Sequence, residues 1–309
     1  MKYAIVFPGQ GSQSLGMLSD LNDNFSIVKD TFTEASDALG FDLWALTQED
    51  QEALNQTQNT QPAMLAAGYA TYKVLTSQSD LSPVCMAGHS LGEYTALVAS
   101  GALGFSDAIK LVRTRAQLMQ SAVPEGVGAM AAILGLDDEV VVKVCHDYAG
   151  EGIVQAVNFN SNGQVVIAGN KAAVDATCEA MKAAGAKRAV VLPVSVPSHC
   201  SLMDDAAGEF KHAVDALDFN MGSVDVLHNV DASKAADINE MKAKLVAQLH
   251  KPVLWTGTVR AMHAMGVEKL IEAGPGKVLA GLTRRIEKSL SANAVLDSAH
   301  VAATLEEIK

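Results

Sequence analysis

The sequence predicts an α/β protein with a mostly parallel sheet, helices on both faces, and a smaller unit inserted into it. Three observations carry that expectation. Short apolar runs at 3–7, 84–87, 224–229 and 269–272 are separated by longer segments with helical apolar spacing, the alternation of an open parallel sheet. Between about 125 and 195 the elements come faster, in the order strand, helix, strand, strand, helix, strand, which is the ferredoxin-like signature. The 309 residues are 49 % hydrophobic and 19 % charged, enough apolar material for one large core and a smaller one.

Each element follows from its local residues. The strand at 3–7 is cut off by Pro8-Gly9, and the strand at 84–87 runs into Gly88-His89-Ser90-Leu91-Gly92-Glu93 and a helical stretch over 94–99. Ser106 is placed to cap a helix over 107–120. In the insert, 129–134 reads as a strand and a helix over 137–148 ends near Gly150. Strands at 153–157 and 164–168 flank the turn-rich 158–163, a helix over 171–184 stops at Gly185, and 188–192 closes the unit. The chain then returns through Ser195-Val196-Pro197-Ser198-His199, where Pro197 imposes an extended approach and Ser198 is expected to cap a helix beginning around His199. Two domains are expected: a discontinuous large one over 1–124 and 196–309, and the insert over 125–195. Sites in such sheets lie beyond the carboxyl ends of strands, which singles out the loops after Phe7, Ala87 and Glu272.

Composition excludes several classes of function. A net charge of −12 argues against a general nucleic-acid or membrane-surface role, since both partners are polyanions, and an acidic partner needs a local basic patch. The first apolar run is too short for a signal-peptide core or a membrane span, so a cytoplasmic location is expected. Cys85, Cys145, Cys178 and Cys200 show no metal or disulfide spacing; reduced, buried thiols and no metal site are the expectation.

The chemistry centres on Ser90. A sharp strand-to-helix turn with glycines two positions either side lifts a serine oxygen out of the sheet, and the N–H groups after it lie at a helix N-terminus where an oxyanion would form. The loop Pro8-Gly9-Gln10-Gly11-Ser12-Gln13 is neither a P-loop nor a dinucleotide loop, because no Gly-Lys-Ser/Thr follows and Ser14 stands at the third glycine. It offers either a plain turn or a second oxyanion donor at Gln10 beside Leu91. His199 is the most suggestive histidine, kept neutral as a base if it opens a helix; the alternative is a packing role. His89 reads as structural. On the helix after Ser106, steps of 100° put Arg115 roughly 40° from the centre of the apolar stripe and Arg113 roughly 120° from it. Arg113 is therefore expected to face water, and Arg115 to lean inward toward an anionic partner, either a structural carboxylate or a ligand.

Taken together, Gly9-Gln10-Gly11-Ser12-Gln13, Gly88-His89-Ser90-Leu91-Gly92-Glu93, Val112-Arg113-Thr114-Arg115-Ala116, Val196-Pro197-Ser198-His199 and Gly274-Pro275-Gly276-Lys277 resemble the malonyl-CoA:acyl carrier protein transacylases of bacterial type II fatty acid synthesis. The resemblance spans nearly the whole chain. It implies a hydrolase-like large domain with a ferredoxin-like insertion, Ser90 as nucleophile, His199 as base, Arg115 as clamp for the malonyl carboxylate, and Gln10 and Leu91 as oxyanion donors. Gln248 matches the position whose backbone carbonyl orients the histidine, with Asp204 or Asp205 as rival orienting groups, and Asn158 and Asn160 match polar positions near the cleft. The implied partners are malonyl-CoA, a substrate, and acyl carrier protein; no cofactor is implied, and the chain is expected to act as a monomer. Lys187-Arg188 and Arg284-Arg285, the latter with Lys277 and Lys288, are the cationic clusters available to an acidic carrier protein. A serine thioesterase or esterase, and a non-enzymatic carrier-binding subunit, are the rival readings; the first usually pairs a Ser, Asp/Glu, His order with an HGGG-type loop, and no such glycine run appears.

Overall fold

The computed structural model describes residues 1–194 and 196–308; Ser195, on the return segment, lies outside the described residues, as does Lys309. Among the described residues nine strands form two sheets: β1 Tyr3–Phe7, β2 Met86–Gly88, β3 Gly128–Leu134, β4 Val154–Ser161, β5 Gln164–Asn170, β6 Arg188–Val191, β7 Val226–Leu227, β8 Lys269–Ala273 and β9 Ser291–Val295. The first sheet has the order β7-β2-β1-β8-β9 with every pairing parallel. Its central strand is buried along its whole length, as a parallel strand covered on both faces must be. Side chains alternate between two cores: Tyr3, Ile5 and Phe7 meet the helices Thr57–Gln78 and Phe105–Ser121, while Ala4 and Val6 meet Trp255–Ala264 and Val278–Ile286.

The second sheet has the order β4-β5-β3-β6, all antiparallel. One face, with Ala129, Ala131, Ile133, Val165 and Ile167, packs on the helices Asp138–His146 and Lys171–Ala183. The other, with Met130, Val157, Val166 and Ala168, packs on Cys200 of the returning chain. The strand β4 is stitched to the main body, because Val253 N–H donates to Val157 and Phe159 N–H donates to Val253.

Several local expectations are corrected. The strand β4 continues through Asn158 and Asn160 to Ser161, so the turn is only Asn162-Gly163, the dipeptide that a two-residue hairpin favours; register shifts around Asn158 absorb the polar residues. The strand β9 was unanticipated, since Ser-Ala-Asn-Ala-Val has low strand propensity and owes its conformation to pairing with β8. Ser106 does not cap its helix: Gly104 precedes the first turn, and the Ser106 hydroxyl instead donates to Glu34 at 2.8 Å. Arg113 is half-buried and not simply turned to water: its guanidinium lies over Phe41, 4.8 Å from the ring centroid, with Nη1 buried. All four cysteines are buried and free, and among the described residues no group of three or more His, Cys, Asp or Glu is placed to hold a metal. No helix among them is long and apolar enough to cross a membrane.

The end of β8 carries a buried carboxylate. Glu272 accepts the N–H groups of Leu279 at 3.1 Å and Ala280 at 2.8 Å, tying the strand to the first turn of Val278–Ile286. Burial outweighs these bonds and pushes its carboxyl up to about 7. Between the ordinary carboxylate range and that value the folded chain holds a proton that the unfolded chain has lost, so this group's contribution to stability falls as pH rises through the window. Glu272→Gln is expected to flatten that slope, removing a change on the order of 3 kcal/mol between about pH 4.5 and 7. Urea unfolding curves of wild type and variant across that range measure it; parallel slopes contradict it.

Candidate active site

The C-terminal ends of β1, β2 and β7 converge, and the turn after β2 projects Ser90. The turn exists because two glycines let three backbone segments meet. A Cβ on Gly88 would lie 1.8 Å from the Gly92 carbonyl carbon, and one on Gly92 would lie 2.1 Å from the carbonyl oxygen of Phe7. Ser90 itself sits at φ +50°, a left-handed conformation that costs a serine about 1–3 kcal/mol and is held by its surroundings. Its N–H donates to Asn229 Oδ1 at 2.7 Å and its carbonyl accepts from Glu93 N–H at 3.1 Å. The loop after β8 does not reach the serine, but Gly274 and Gly276 pack against Pro8 and Ser12 and brace the first loop.

Ser90 Oγ lies 2.8 Å from His199 Nε2. His199 Nδ1 lies 2.6 Å from the carbonyl oxygen of Gln248, which only accepts, so Nδ1 carries the hydrogen and Nε2 presents its lone pair to the serine. Gln248 is the C-cap of the helix Ile238–Ala247, where carbonyls lack intrahelical partners, so its oxygen is free for this role. Asp204 instead engages His250, and the His199 Nδ1 position is already taken by the carbonyl.

His199 does not open a helix. It has φ +66°, its N–H donates to Leu249, and helical structure begins only at Ser201, so Ser198 caps nothing. The expected origin of a neutral ring is therefore replaced by another. His199 is 3 % exposed, and burial, reinforced by the Arg115 charge, brings its imidazole down to about 3 against the opposing pull of the Gln248 carbonyl.

Arg115 is 1 % exposed. Its Nη1 donates to Gln61 Oε1 at 2.8 Å, and its Nη2 donates to Gln248 Oε1 at 2.9 Å and to Ser90 Oγ at 3.2 Å. The guanidinium also lies 5.3 Å from the centroid of Tyr94. Among the described residues no carboxylate forms an ion pair with it; its acceptors are amides and a hydroxyl. A buried cation beside the nucleophile with only neutral partners is suited to receive an anionic group.

The N–H groups of Leu91 and Gln10 donate to no protein acceptor among the described residues, and the two loops are pinned together by His89 N–H donating to Phe7 at 3.0 Å. The Gln10 side chain is exposed and only approaches Thr57, at 3.4 Å. Asn160 Oδ1 is taken by His89 Nε2 at 2.7 Å, which anchors β4 to the turn, whereas Asn158 Oδ1 is buried without a partner. Lys187 and Arg188, at the start of β6, and Arg284 and Arg285, on the helix Val278–Ile286, are exposed on separate units and do not touch the Ser90 cluster. Gln61, Glu93 and Asn229 escaped the sequence reading. A signal existed for Glu93, the one charged residue of a fully buried helix, Gly92–Ala99.

A serine lifted on a strained turn, with a neutral imidazole against it and the free N–H of Leu91 next to it, is the arrangement of an enzyme that transfers acyl groups. The chain belongs to the acyl transferase domain family, whose model matches residues 4–307. Over 306 residues it is 53 % identical to the malonyl CoA-acyl carrier protein transacylase of Escherichia coli K12, covering 99 % of each chain. An acyl carrier protein S-malonyltransferase from Vibrio cholerae superposes with a TM-score of 0.96 at 55 % identity, over 98 % of this chain and all of that one. A malonyl-transacylase solved in complex with a type II PKS acyl-carrier protein superposes with a TM-score of 0.98 at 51 % identity, over 99 % of this chain and all of that one.

The electrostatics of the site are testable directly. His199 is expected to remain neutral to well below pH 5, and Arg115→Met, which removes the depressing influence that ranks next after burial, is expected to raise its titration midpoint. Imidazole NMR of the two proteins reads both midpoints; an unchanged midpoint contradicts the coupling.

Proposed function

We propose that this enzyme transfers the malonyl group from malonyl-CoA to the phosphopantetheine thiol of acyl carrier protein, in a ping-pong reaction through a malonyl-Ser90 intermediate. The observation that carries the substrate assignment is the buried Arg115 guanidinium, 3.2 Å from Ser90 Oγ and ringed by neutral acceptors. A malonyl thioester puts a carboxylate two bonds from the carbonyl that Ser90 attacks; an acetyl thioester does not. Family membership and close full-length relatives supply the acyl donor and acceptor.

In the first half-reaction Ser90 Oγ attacks the thioester carbonyl as its proton passes to His199 Nε2, and the oxyanion accepts from the N–H groups of Leu91 and Gln10. The carbon–sulfur bond then breaks, and His199 returns the proton to the departing CoA sulfur. In the second half the carrier thiol gives its proton to His199, its sulfur attacks the malonyl-serine, and Ser90 leaves reprotonated. A thiol with a pKa of about 8.5 departs with far less protonation than an amine needs, which suits a histidine oriented by a carbonyl and not by a carboxylate. The seated substrate carboxylate also offsets the Arg115 charge that depresses His199, so the base strengthens as the substrate arrives.

The same reading extends to organisation. The order β4-β5-β3-β6 supports a ferredoxin-like label for residues 125–195, and the parallel sheet with its serine turn supports a hydrolase-like one for 1–124 with 196–309. Four free buried thiols suit the cytoplasm, the chemistry needs no cofactor, and a site built within one chain needs no second copy. An acidic enzyme docks an acidic carrier protein through local cations, for which Arg284 and Arg285 are exposed and suitably clustered.

Three experiments test the proposal. Radiolabelled malonyl-CoA is expected to leave label on Ser90 that carrier protein then removes, and Arg115→Ala is expected to cut the malonyl over acetyl preference in kcat/KM by roughly 10- to 150-fold, the worth of a charge-assisted hydrogen bond. An unchanged preference rules out the clamp. Charge reversal at Arg284 and Arg285 is expected to raise KM for carrier protein several-fold while leaving acylation by malonyl-CoA intact; an unchanged KM removes this patch from the docking surface.

A further inference from the structure

Among the described residues Gln248 alone bonds to Ser90, His199 and Arg115, and its side chain makes contacts separate from the carbonyl that faces His199. Its side-chain Oε1 accepts from Arg115 Nη2 at 2.9 Å, and its Nε2 donates to the Ser90 carbonyl at 3.0 Å and to Glu93 Oε2 at 2.8 Å. Gln248 and Glu93 are both 0 % exposed. The Glu93 carboxylate takes two further donors, His228 Nδ1 at 2.7 Å and Asn229 N–H at 2.9 Å. Asn229 in turn donates to the Gly88 carbonyl and accepts from Ser90 N–H, both at 2.7 Å.

This network has one consistent polarity. A carboxylate only accepts and a guanidinium only donates, so an amide between them has a single favourable orientation, NH₂ toward Glu93 and oxygen toward Arg115. The flipped amide would set oxygen against carboxylate and hydrogen against hydrogen. A carboxylate placed directly on Arg115 would hold it more firmly but would cancel the charge that a substrate carboxylate needs. An intervening amide keeps Glu93 as a counter-charge one residue away, leaves the guanidinium positive, and leaves Nη2 within reach of Ser90 Oγ.

We infer that the Gln248 side chain, oriented by Glu93, is a specificity-determining positioning residue that aims Arg115 at the acyl carboxylate and preserves its charge. The inference rests on Arg115 being the clamp for that carboxylate. Its readout is the ratio of malonyl to acetyl transfer onto Ser90 in a single turnover, which cancels any loss common to both substrates. Gln248→Met retains the backbone carbonyl on His199 and is expected to lower the ratio roughly 3- to 10-fold, less than loss of the clamp itself, because Gln61 and Ser90 still hold the guanidinium in part. On an Arg115→Ala background the same change is expected to lower it no further, because the residue acts through the guanidinium.

Gln248→Glu gives a second, independent signature. As an anion, the new side chain neutralises Arg115 and opposes Glu93, so the ratio is expected to fall below that of Gln248→Met near pH 8. Protonated, it offers an O–H to Glu93 and a carbonyl to Arg115, as the amide does, so the ratio is expected to recover as pH falls toward about 5.5. A wild-type ratio in Gln248→Met, an added loss on the Arg115→Ala background, or a ratio in Gln248→Glu that does not vary with pH each overturns the inference. If Gln248→Met does not fold, the pH profile of Gln248→Glu decides alone. A wild-type ratio in Arg115→Ala itself overturns the clamp, and the relay with it.

Discussion

Arg115 brings a positive charge into the protein interior without an ion pair, and the rest of the site is arranged around that charge. Isolated burial of a cation is costly, and the usual remedy is a contacting carboxylate. Here the remedy is distributed: amide oxygens from Gln61 and Gln248, the Ser90 hydroxyl and the face of Tyr94 each take part, with the nearest carboxylate, Glu93, held behind the Gln248 amide. These partners come from three regions far apart in sequence, namely the helix Thr57–Gln78, the serine turn with the helix Gly92–Ala99 that follows it, and the C-cap of Ile238–Ala247. The fold around the parallel sheet brings them to one point.

The strained backbone at the centre is sustained by the same network. Ser90 and His199 both occupy left-handed conformations, and each is fixed by a bond from its own backbone, to Asn229 Oδ1 and to the Leu249 carbonyl. Asn229 is anchored by Glu93, which lies one turn along the helix that Ser90 opens. Position, charge and strain therefore share one buried carboxylate. The glycines at 88 and 92 are the other half of the arrangement, because without their close approach to Phe7 the serine would not clear the sheet.

What could be read in advance, and what could not, follows the range of the interactions involved. The nucleophile turn, the inward lean of Arg115 and the order of elements in the insert are local patterns, and the sequence shows them. The strand β9 and the extension of β4 depend on pairing partners elsewhere in the chain, so Ser291 to Val295 carries no strand pattern of its own and Asn158 to Ser161 reads as part of a turn. His199 was singled out for a helix N-terminus it does not have; its neutrality comes from burial and from Arg115, neither of which is visible in Pro197-Ser198-His199. Gln61 and Asn229 carry no local mark at all, since a polar residue inside a helix or after a strand is as often solvated as buried. Arg113 shows the limit of a wheel diagram, because Phe41, from the bend between the helices Ser26–Leu39 and Leu43–Glu49, covers part of a face that periodicity assigns to water.

The depression of His199 bears on how selectivity is exerted. A base brought down to about 3 is a weak acceptor for a serine proton, and part of that weakness comes from Arg115. An acyl group that carries a carboxylate to Arg115 compensates the guanidinium charge and so relieves the histidine at the moment the thioester carbonyl reaches Ser90. An acyl group without one leaves the guanidinium uncompensated and the histidine weak. In the proposed reaction discrimination would then be exerted in the chemical step as well as in binding, because the contact proposed to recognise the substrate carboxylate would also set the strength of the base. That coupling requires the guanidinium to be buried, close to the imidazole and free of a protein carboxylate at once, which is the combination of constraints the Gln248 amide satisfies.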